Sequence, residues 1–170
     1  MPLYGEIAQN KGMALFPRKI NGKYAMLCRL DGFNNYIAFS NNFSIWREAK
    51  LLQQSKFSWE FFQIGNFGSP IESPEGWLVI TPGFGSMRVY VLGASLFDLQ
   101  NPEKEIGRLQ SPLLMPNSED REGYVPNVVY SCGSIINSNE LIIPYAMSDY
   151  ASTYATVNLV ELLNELKNNK

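Results

Sequence analysis

A repeated spacing between short apolar runs is the feature that most limits how this chain can fold. Three times, a strand-like run is followed by a second run whose tyrosine lies twelve or thirteen residues further on. The paired positions are Tyr24 and Tyr36, Trp77 and Tyr90, and Leu141 and Tyr154. An internal repeat of about 50 residues built from short antiparallel strands is typical of β-propeller blades. A β-sandwich with regularly spaced strands is the alternative that this pattern leaves open.

The chain has room for about three such units, each predicted to be an antiparallel sheet of four strands. Leucines at helical spacing near the carboxyl end predict a short amphipathic helix over Leu159–Leu166 that packs on the core. A propeller needs four to eight blades, so three blades leave unpaired strand edges. We therefore expect an all-β, partial propeller that is completed either by further blades or by oligomerisation.

Composition points to one globular domain over residues 1–170, with apolar and aromatic content sufficient for a core. The net charge of −2 argues against nucleic acid or an anionic membrane as the main partner, because both require clustered Lys and Arg. No apolar run approaches the length of a membrane span, and the start of the chain does not resemble a cleavable signal. A cytoplasmic location is the resulting expectation.

The chain contains no histidine. This excludes Ser-His and Cys-His nucleophiles and His-based zinc sites, so any chemistry must rely on other side chains or on a partner. No cluster of metal ligands is evident, and neither a metal nor another cofactor is assigned. Cys28 and Cys132 are expected to be buried, reduced thiols, with a disulfide as the alternative. Gly65 and Gly68 suggest backbone that passes close to another part of the chain.

A series of motifs resembles glycoside hydrolase family 130, the β-mannoside phosphorylases and related β-mannosidases. The resemblance extends from about Lys11 to Leu163, and its most specific parts are the two motifs EGYVPNVVY and IGRL. The resembling segments include Leu15–Pro17, Trp77–Ile80, Ile106–Leu109, Arg121–Tyr130 and Tyr145–Asp149. The resemblance implies that the chain is the carboxy-terminal part of a five-bladed propeller, which transfers a mannosyl unit to phosphate or water with inversion.

The same resemblance places the family's general acid, an aspartate, in an amino-terminal half that precedes everything in this chain. Inverting glycosyl transfer needs a proton donor on one side of the sugar and a nucleophile on the other. No catalytic residue is therefore assigned here, and the chain alone is expected to be inactive. Two ways of completing the propeller stay open: complementing amino-terminal blades from another source, or association with further copies of this chain in a homo-oligomer.

Two residues match positions that hold phosphate in the family. Cationic side chains occur at such positions because a phosphate dianion requires charged donors. Arg29 matches one of the family's two phosphate-binding arginines. Lys11 matches the other, where it keeps the positive charge but lacks the planar, bidentate guanidinium group. Arg88, two residues before a matching tyrosine, is a further candidate. Pro82 replaces a histidine common in the family and offers no donor, which weakens the case for phosphate as the acceptor.

Three residues match positions that contact sugar. Asp149 falls on an aspartate that binds hydroxyls of the mannosyl unit, Gln63 stands where many members have lysine, and Tyr90 matches a tyrosine that lines the same region. Taken locally, Asp149 is instead a turn residue, Arg29 a surface strand arginine and Tyr90 a core aromatic. The partners implied are a β-mannoside oligosaccharide and inorganic phosphate. A non-catalytic carbohydrate-binding or assembly module is the alternative function.

Overall fold

The first sheet is an antiparallel meander near the amino end. The computed structural model describes residues 2–85, 89–117 and 123–169. The meander contains β1 (Ala14–Leu15), β2 (Tyr24–Cys28), β3 (Asn35–Ser40) and β4 (Ala49–Gln53), in that spatial order. Before β2 the chain reverses at Asn21 and Gly22, which both have positive φ, of 48° and 79°. An Asn-Gly pair is the sequence that best tolerates this geometry, so the predicted turn is confirmed.

The second sheet is centred on two long strands, β7 (Gly76–Phe84) and β8 (Tyr90–Phe97), with β9 (Glu105–Arg108) beyond β8. Two short strands, β5 (Gln63–Ile64) and β6 (Ile71–Ser73), pair with opposite ends of the same edge of β7. They therefore act as one interrupted strand. The interruption, residues 65–70, contains the two glycines that the sequence marked for close approach.

The third sheet is built around β12 (Glu140–Met147), which pairs along one edge with β13 (Ala151–Asn158). Its other edge takes β10 (Val129–Tyr130) and β11 (Ile135–Asn137). Within the described residues this sheet has three strand positions, whereas the sequence predicted four. The predicted helix is confirmed as α1 (Leu159–Asn168), which begins where the Asn158 side chain accepts a hydrogen bond of 3.1 Å from the Glu161 amide.

The core shows how the three sheets stack. Along β7, Trp77 and Val79 pack with the first sheet, whereas the alternate residues Leu78 and Ile80 pack with the third sheet and α1. Because successive side chains of a strand point to opposite faces, β7 is covered on both sides and is buried almost throughout. The second sheet is thus the middle layer. Among the described residues, no helix is long and apolar enough to cross a membrane.

One expectation about the cysteines is wrong. Cys28 is buried as predicted, but Cys132 is exposed, and both thiols are free. The segment from Asn127 to Ile136 is apolar and rich in strand-forming residues, a pattern that favours one continuous strand. The chain instead leaves the sheet after β10, passes through Cys132 and Gly133, and returns as β11. Cys132 lies in this break, outside the pattern of alternating buried positions that a strand would impose.

Candidate functional site

The sheets converge on a pocket with a volume of about 380 Å³. Five of the six residues that the sequence selected line it together: Lys11, Arg29, Gln63, Tyr90 and Asp149. The sixth, Arg88, lies outside the described residues. The pocket is also lined by Gly12, Asn66, Phe67, Pro82, Val125, Val128 and Tyr130. Side chains separated by more than 130 positions in the sequence therefore meet at one site.

Strand register fixes one wall of the pocket. Gln63 is paired with Phe84, and Phe84 is paired with Tyr90 on its other side. Residues directly opposite in antiparallel strands project from the same face, so these three side chains form a row across the second sheet. Pro82, two residues before Phe84, projects from that face as well. The row continues to Val128, which forms a bridge with Tyr90.

Arg29 lies in a slot formed by two glycines. A Cβ atom at Gly12 or at Gly65 would come within 2.8 Å of Arg29 Cδ. One nitrogen of the guanidinium, Nη2, donates a hydrogen bond to the carbonyl oxygen of Gly32, whereas the buried Nε has no partner within the described residues. Burial lowers the pKa of Arg29, and the nearby Tyr90 and Asp31 oppose that effect. A half-buried guanidinium is suited to an anionic ligand, because its charge-assisted hydrogen bonds are strong.

Asn66 forms part of the pocket that the sequence did not reveal. Its side chain is almost fully buried and donates hydrogen bonds to the Gly12 carbonyl oxygen at 2.9 Å and to Asn35 Oδ1 at 3.4 Å. Asn35 in turn donates to Gln53 Oε1 at 3.1 Å. Asn66 therefore ties the segment carrying Lys11 and Gly12 to the first sheet. Its place between Gly65 and Gly68 was the only local signal.

A buried ionic cluster is connected to Asn66 by side-chain hydrogen bonds. Arg108 Nη1 lies 3.2 Å from Glu60 Oε2, and Arg108 Nη2 lies 2.7 Å from Glu105 Oε2. Glu105 also accepts a hydrogen bond of 2.6 Å from Gln53, which connects the cluster to the side chains of Asn35 and Asn66. A side-chain network therefore runs from Glu60 to Asn66 between the first two sheets.

Asp149 lies at the rim, in the turn between β12 and β13. Ser148 and Asp149 have φ values of 52° and 54°, a left-handed conformation that Asp tolerates better than most residues. The turn is held by a hydrogen bond of 2.9 Å from the Ser148 amide to the Val128 carbonyl and by one of 3.2 Å from the Val125 amide to the Ser148 carbonyl. The Asp149 carboxylate is exposed and available to a ligand.

Tyr130 is a second residue that the sequence did not select. It lines the pocket, and its ring packs edge-on against Phe67 with centroids 4.8 Å apart. Burial raises the pKa of the Tyr130 hydroxyl and its contact with Cys132 adds to the rise, while the charge of Arg29 opposes it. The hydroxyl is therefore a neutral hydrogen-bonding group at ordinary pH.

The charges of the pocket are unequal. Lys11 and Arg29 are cationic, and Asp149 is the one carboxylate among the described lining residues. Such a site suits a ligand that combines an anion with several hydroxyl groups. Among the described residues, no group of three or more Asp, Glu or Cys side chains could hold a metal ion.

Comparison with solved structures identifies the class of protein to which this fold belongs. Residues covering 95% of the chain superpose on 48% of β-1,2-mannobiose phosphorylase from Listeria innocua in complex with β-1,2-mannobiose, with a TM-score of 0.86 and 28% identity. The family model described as beta-1,4-mannooligosaccharide phosphorylase matches residues 4–168. The chain belongs to glycoside hydrolase family 130.

Curated relatives are consistent with this assignment. A 1,2-β-oligomannan phosphorylase from Thermoanaerobacter sp. (strain X514) is 37% identical over 155 residues, which are 90% of this chain and 52% of that protein. A β-1,4-mannooligosaccharide phosphorylase from Ruminococcus albus is 29% identical over 170 residues, and the match covers 51% of its length. The chain thus spans about half the length of these relatives.

Proposed function

We propose that this chain forms the carboxy-terminal three blades of a five-bladed propeller that acts on β-mannosides by inverting transfer of a mannosyl unit to phosphate or water. The observation that carries the proposal is the single pocket in which Lys11, Arg29, Gln63, Tyr90 and Asp149 meet. Each was selected by resemblance to mannoside phosphorylases. Gln63 and Tyr90 lie in the second sheet, Arg29 directly follows β2 of the first, and Asp149 lies in the turn between two strands of the third. Membership of the family and the names of its relatives support the same substrate class.

The proposed roles follow from the chemistry of each group. Asp149 accepts hydrogen bonds from two hydroxyls of the mannosyl unit, and Gln63 and Tyr90 contact the same sugar. Arg29 and Lys11 bind phosphate through charge-assisted hydrogen bonds. Arg88 is a further proposed phosphate ligand.

We also propose that the 170-residue chain binds this substrate without turning it over. General acid catalysis typically contributes about 10²–10⁴-fold. Asp149 is the one carboxylate among the described pocket residues, and it is already committed to sugar hydroxyls. A complementing segment that pairs with the open sheet edges would supply the acid. Pro82, which replaces a donor with an apolar ring, argues against phosphate as the acceptor. The alternative function is a non-catalytic carbohydrate-binding or assembly module.

Product analysis tests the proposal. The chain is incubated with β-1,2- and β-1,4-mannobiose, with and without inorganic phosphate, and mannose 1-phosphate and free mannose are quantified by ion-exchange chromatography. Calorimetry on the same samples measures binding. Saturable mannobiose binding with no product supports the assignment of the pocket and the inactivity of the chain alone. Clear turnover by the chain alone overturns its inactivity, and absence of binding overturns the assignment of the pocket.

A further inference from the structure

A row of aromatic rings leads away from the pocket. Tyr90, which lines the pocket, has its ring centroid 4.3 Å from that of Phe84. Phe84 is 5.5 Å from Phe62, and Phe62 is 5.1 Å from Phe61. The two outer rings are exposed, Phe61 at 68% and Phe62 at 49%. Contiguous exposed apolar surface beside a polar pocket marks a binding groove more often than chance exposure.

The backbone holds these rings in place. Phe84 lies between Gln63 and Tyr90 in the cross-strand row, and the Phe62 amide donates a hydrogen bond of 2.8 Å to the Phe84 carbonyl oxygen. Phe61 directly follows Glu60, whose buried carboxylate is paired with Arg108. The backbone that carries the rings is therefore held before any ligand arrives, which lowers the entropy lost on binding.

The chemistry of the row identifies its ligand class. A pyranose unit has an apolar face of C–H groups and an edge of hydroxyls, so it packs on an aromatic ring while its hydroxyls remain in water. The row is continuous with the pocket through Tyr90, and Gln63 provides a polar group beside Phe84. We propose that Phe84, Phe62 and Phe61 form a stacking track for the sugar units of a β-mannooligosaccharide that extend beyond the unit held in the pocket. This inference rests on the proposed function.

The dependence of affinity on oligosaccharide length tests the track. Calorimetry compares mannobiose, mannotriose and mannotetraose binding to the unchanged chain, to Phe61→Ala and to Phe61→Trp. Affinity should rise with length in the unchanged chain. Phe61→Ala should reduce the affinity for the longer oligosaccharides about fivefold and leave mannobiose binding intact, because one aromatic contact contributes about 1 kcal/mol. Phe61→Trp should retain the gain.

Tyr154→Ala is the matched control, since Tyr154 is also exposed, at 67%, but lies on β13. Equal affinity for all lengths, or an equal loss for mannobiose and mannotetraose in Phe61→Ala, overturns the track while leaving the proposed function standing. If Phe61→Ala instead changes the sedimentation mass without changing sugar affinity, the row is an interface between copies and the inference is wrong. Absence of Asp149-dependent binding at every length overturns both proposals.

Discussion

Gly65 provides the space that the side chain of Arg29 occupies. A Cβ atom at residue 65 would lie 2.8 Å from Arg29 Cδ and 3.3 Å from Nε. The contact is closer than Cβ atoms tolerate, so the arginine must move if residue 65 gains a side chain. The position of Arg29, the proposed phosphate ligand, therefore depends on the absence of a Cβ atom in the segment between β5 and β6.

Gly65→Ala should weaken binding of inorganic phosphate by roughly tenfold to a hundredfold, because charge-assisted hydrogen bonds contribute about 1.5–3 kcal/mol. Phosphate binding is measured by ³¹P NMR line broadening. Gly22→Ala is the control, because it too replaces a glycine by alanine but nothing lies within 4 Å of the new Cβ. Its φ of +79° makes it the more strained of the two substitutions. Equal phosphate affinity in Gly65→Ala and the unchanged chain would contradict the role given to the slot.

The ion pair between Arg108 and Glu60 should be critical for stability. Both side chains are nearly inaccessible to solvent, 6% and 0% exposed. Arg108→Met leaves the Glu60 carboxylate buried without its counter-ion, which should lower the free energy of unfolding by about 3–5 kcal/mol. Lys50→Met removes the exposed pair with Glu103 and should cost less than about 1 kcal/mol. Urea unfolding measures both, and similar losses would refute this difference.

Asp31 should make stability sensitive to acid. Burial acts to raise the pKa of its carboxyl. The carboxylate, however, accepts hydrogen bonds from the backbone amides of Phe33 and Asn34 and from the side chains of Asn34 and Tyr36. These outweigh burial and lower the pKa to about 2. A folded pKa below the unfolded value stabilises the protein above about pH 4, and this contribution disappears as the pH falls from about 4 to 2. It should not exceed about 1 kcal/mol, because the group is exposed.

Asp31→Asn should flatten the dependence of stability on pH in that range. The variant cannot lose a charge on acidification, so its urea midpoint should change less between pH 4 and pH 2 than that of the unchanged chain. Parallel pH profiles for the two proteins would show that Asp31 does not titrate with the predicted effect.

The two thiols should differ in reactivity. Burial raises the pKa of the Cys28 thiol to about 11, whereas Cys132 is exposed. Thiolates are the reactive form, so iodoacetamide at neutral pH should label Cys132 in the folded protein and Cys28 only after denaturation. Peptide mass spectrometry locates the label. Rapid modification of Cys28 under native conditions would contradict the packing of β2.

Local pattern was sufficient for the long strands β7, β8, β12 and β13, the Asn21-Gly22 turn and the helix. Those features depend on residues close in sequence, whose alternation and turn chemistry act locally. The same reasoning failed at Cys132, because an apolar run does not show where a strand leaves its sheet. The third sheet also lacks a predicted strand position among the described residues.

The pocket required more than local pattern. Arg29, Gln63 and Asp149 were selected by resemblance, since each is an ordinary strand or turn residue when read alone. Asn66 was missed because its partners, Gly12 and Asn35, lie 54 and 31 positions away. The pairing of Arg108 with Glu60 spans 48 positions and likewise depends on how the first two sheets stack. Side-chain networks between sheets leave no regular spacing in a sequence.

The most direct test of the central claim is the affinity of the chain for β-mannobiose with and without the Asp149 carboxylate. Titration calorimetry compares the unchanged chain with Asp149→Asn, and Glu140→Gln at the far end of β12 serves as the control. The unchanged chain and Glu140→Gln should bind saturably, and the affinity of Asp149→Asn should be at least about tenfold weaker. Equal affinity in all three proteins would contradict the assignment of this pocket to the mannosyl unit.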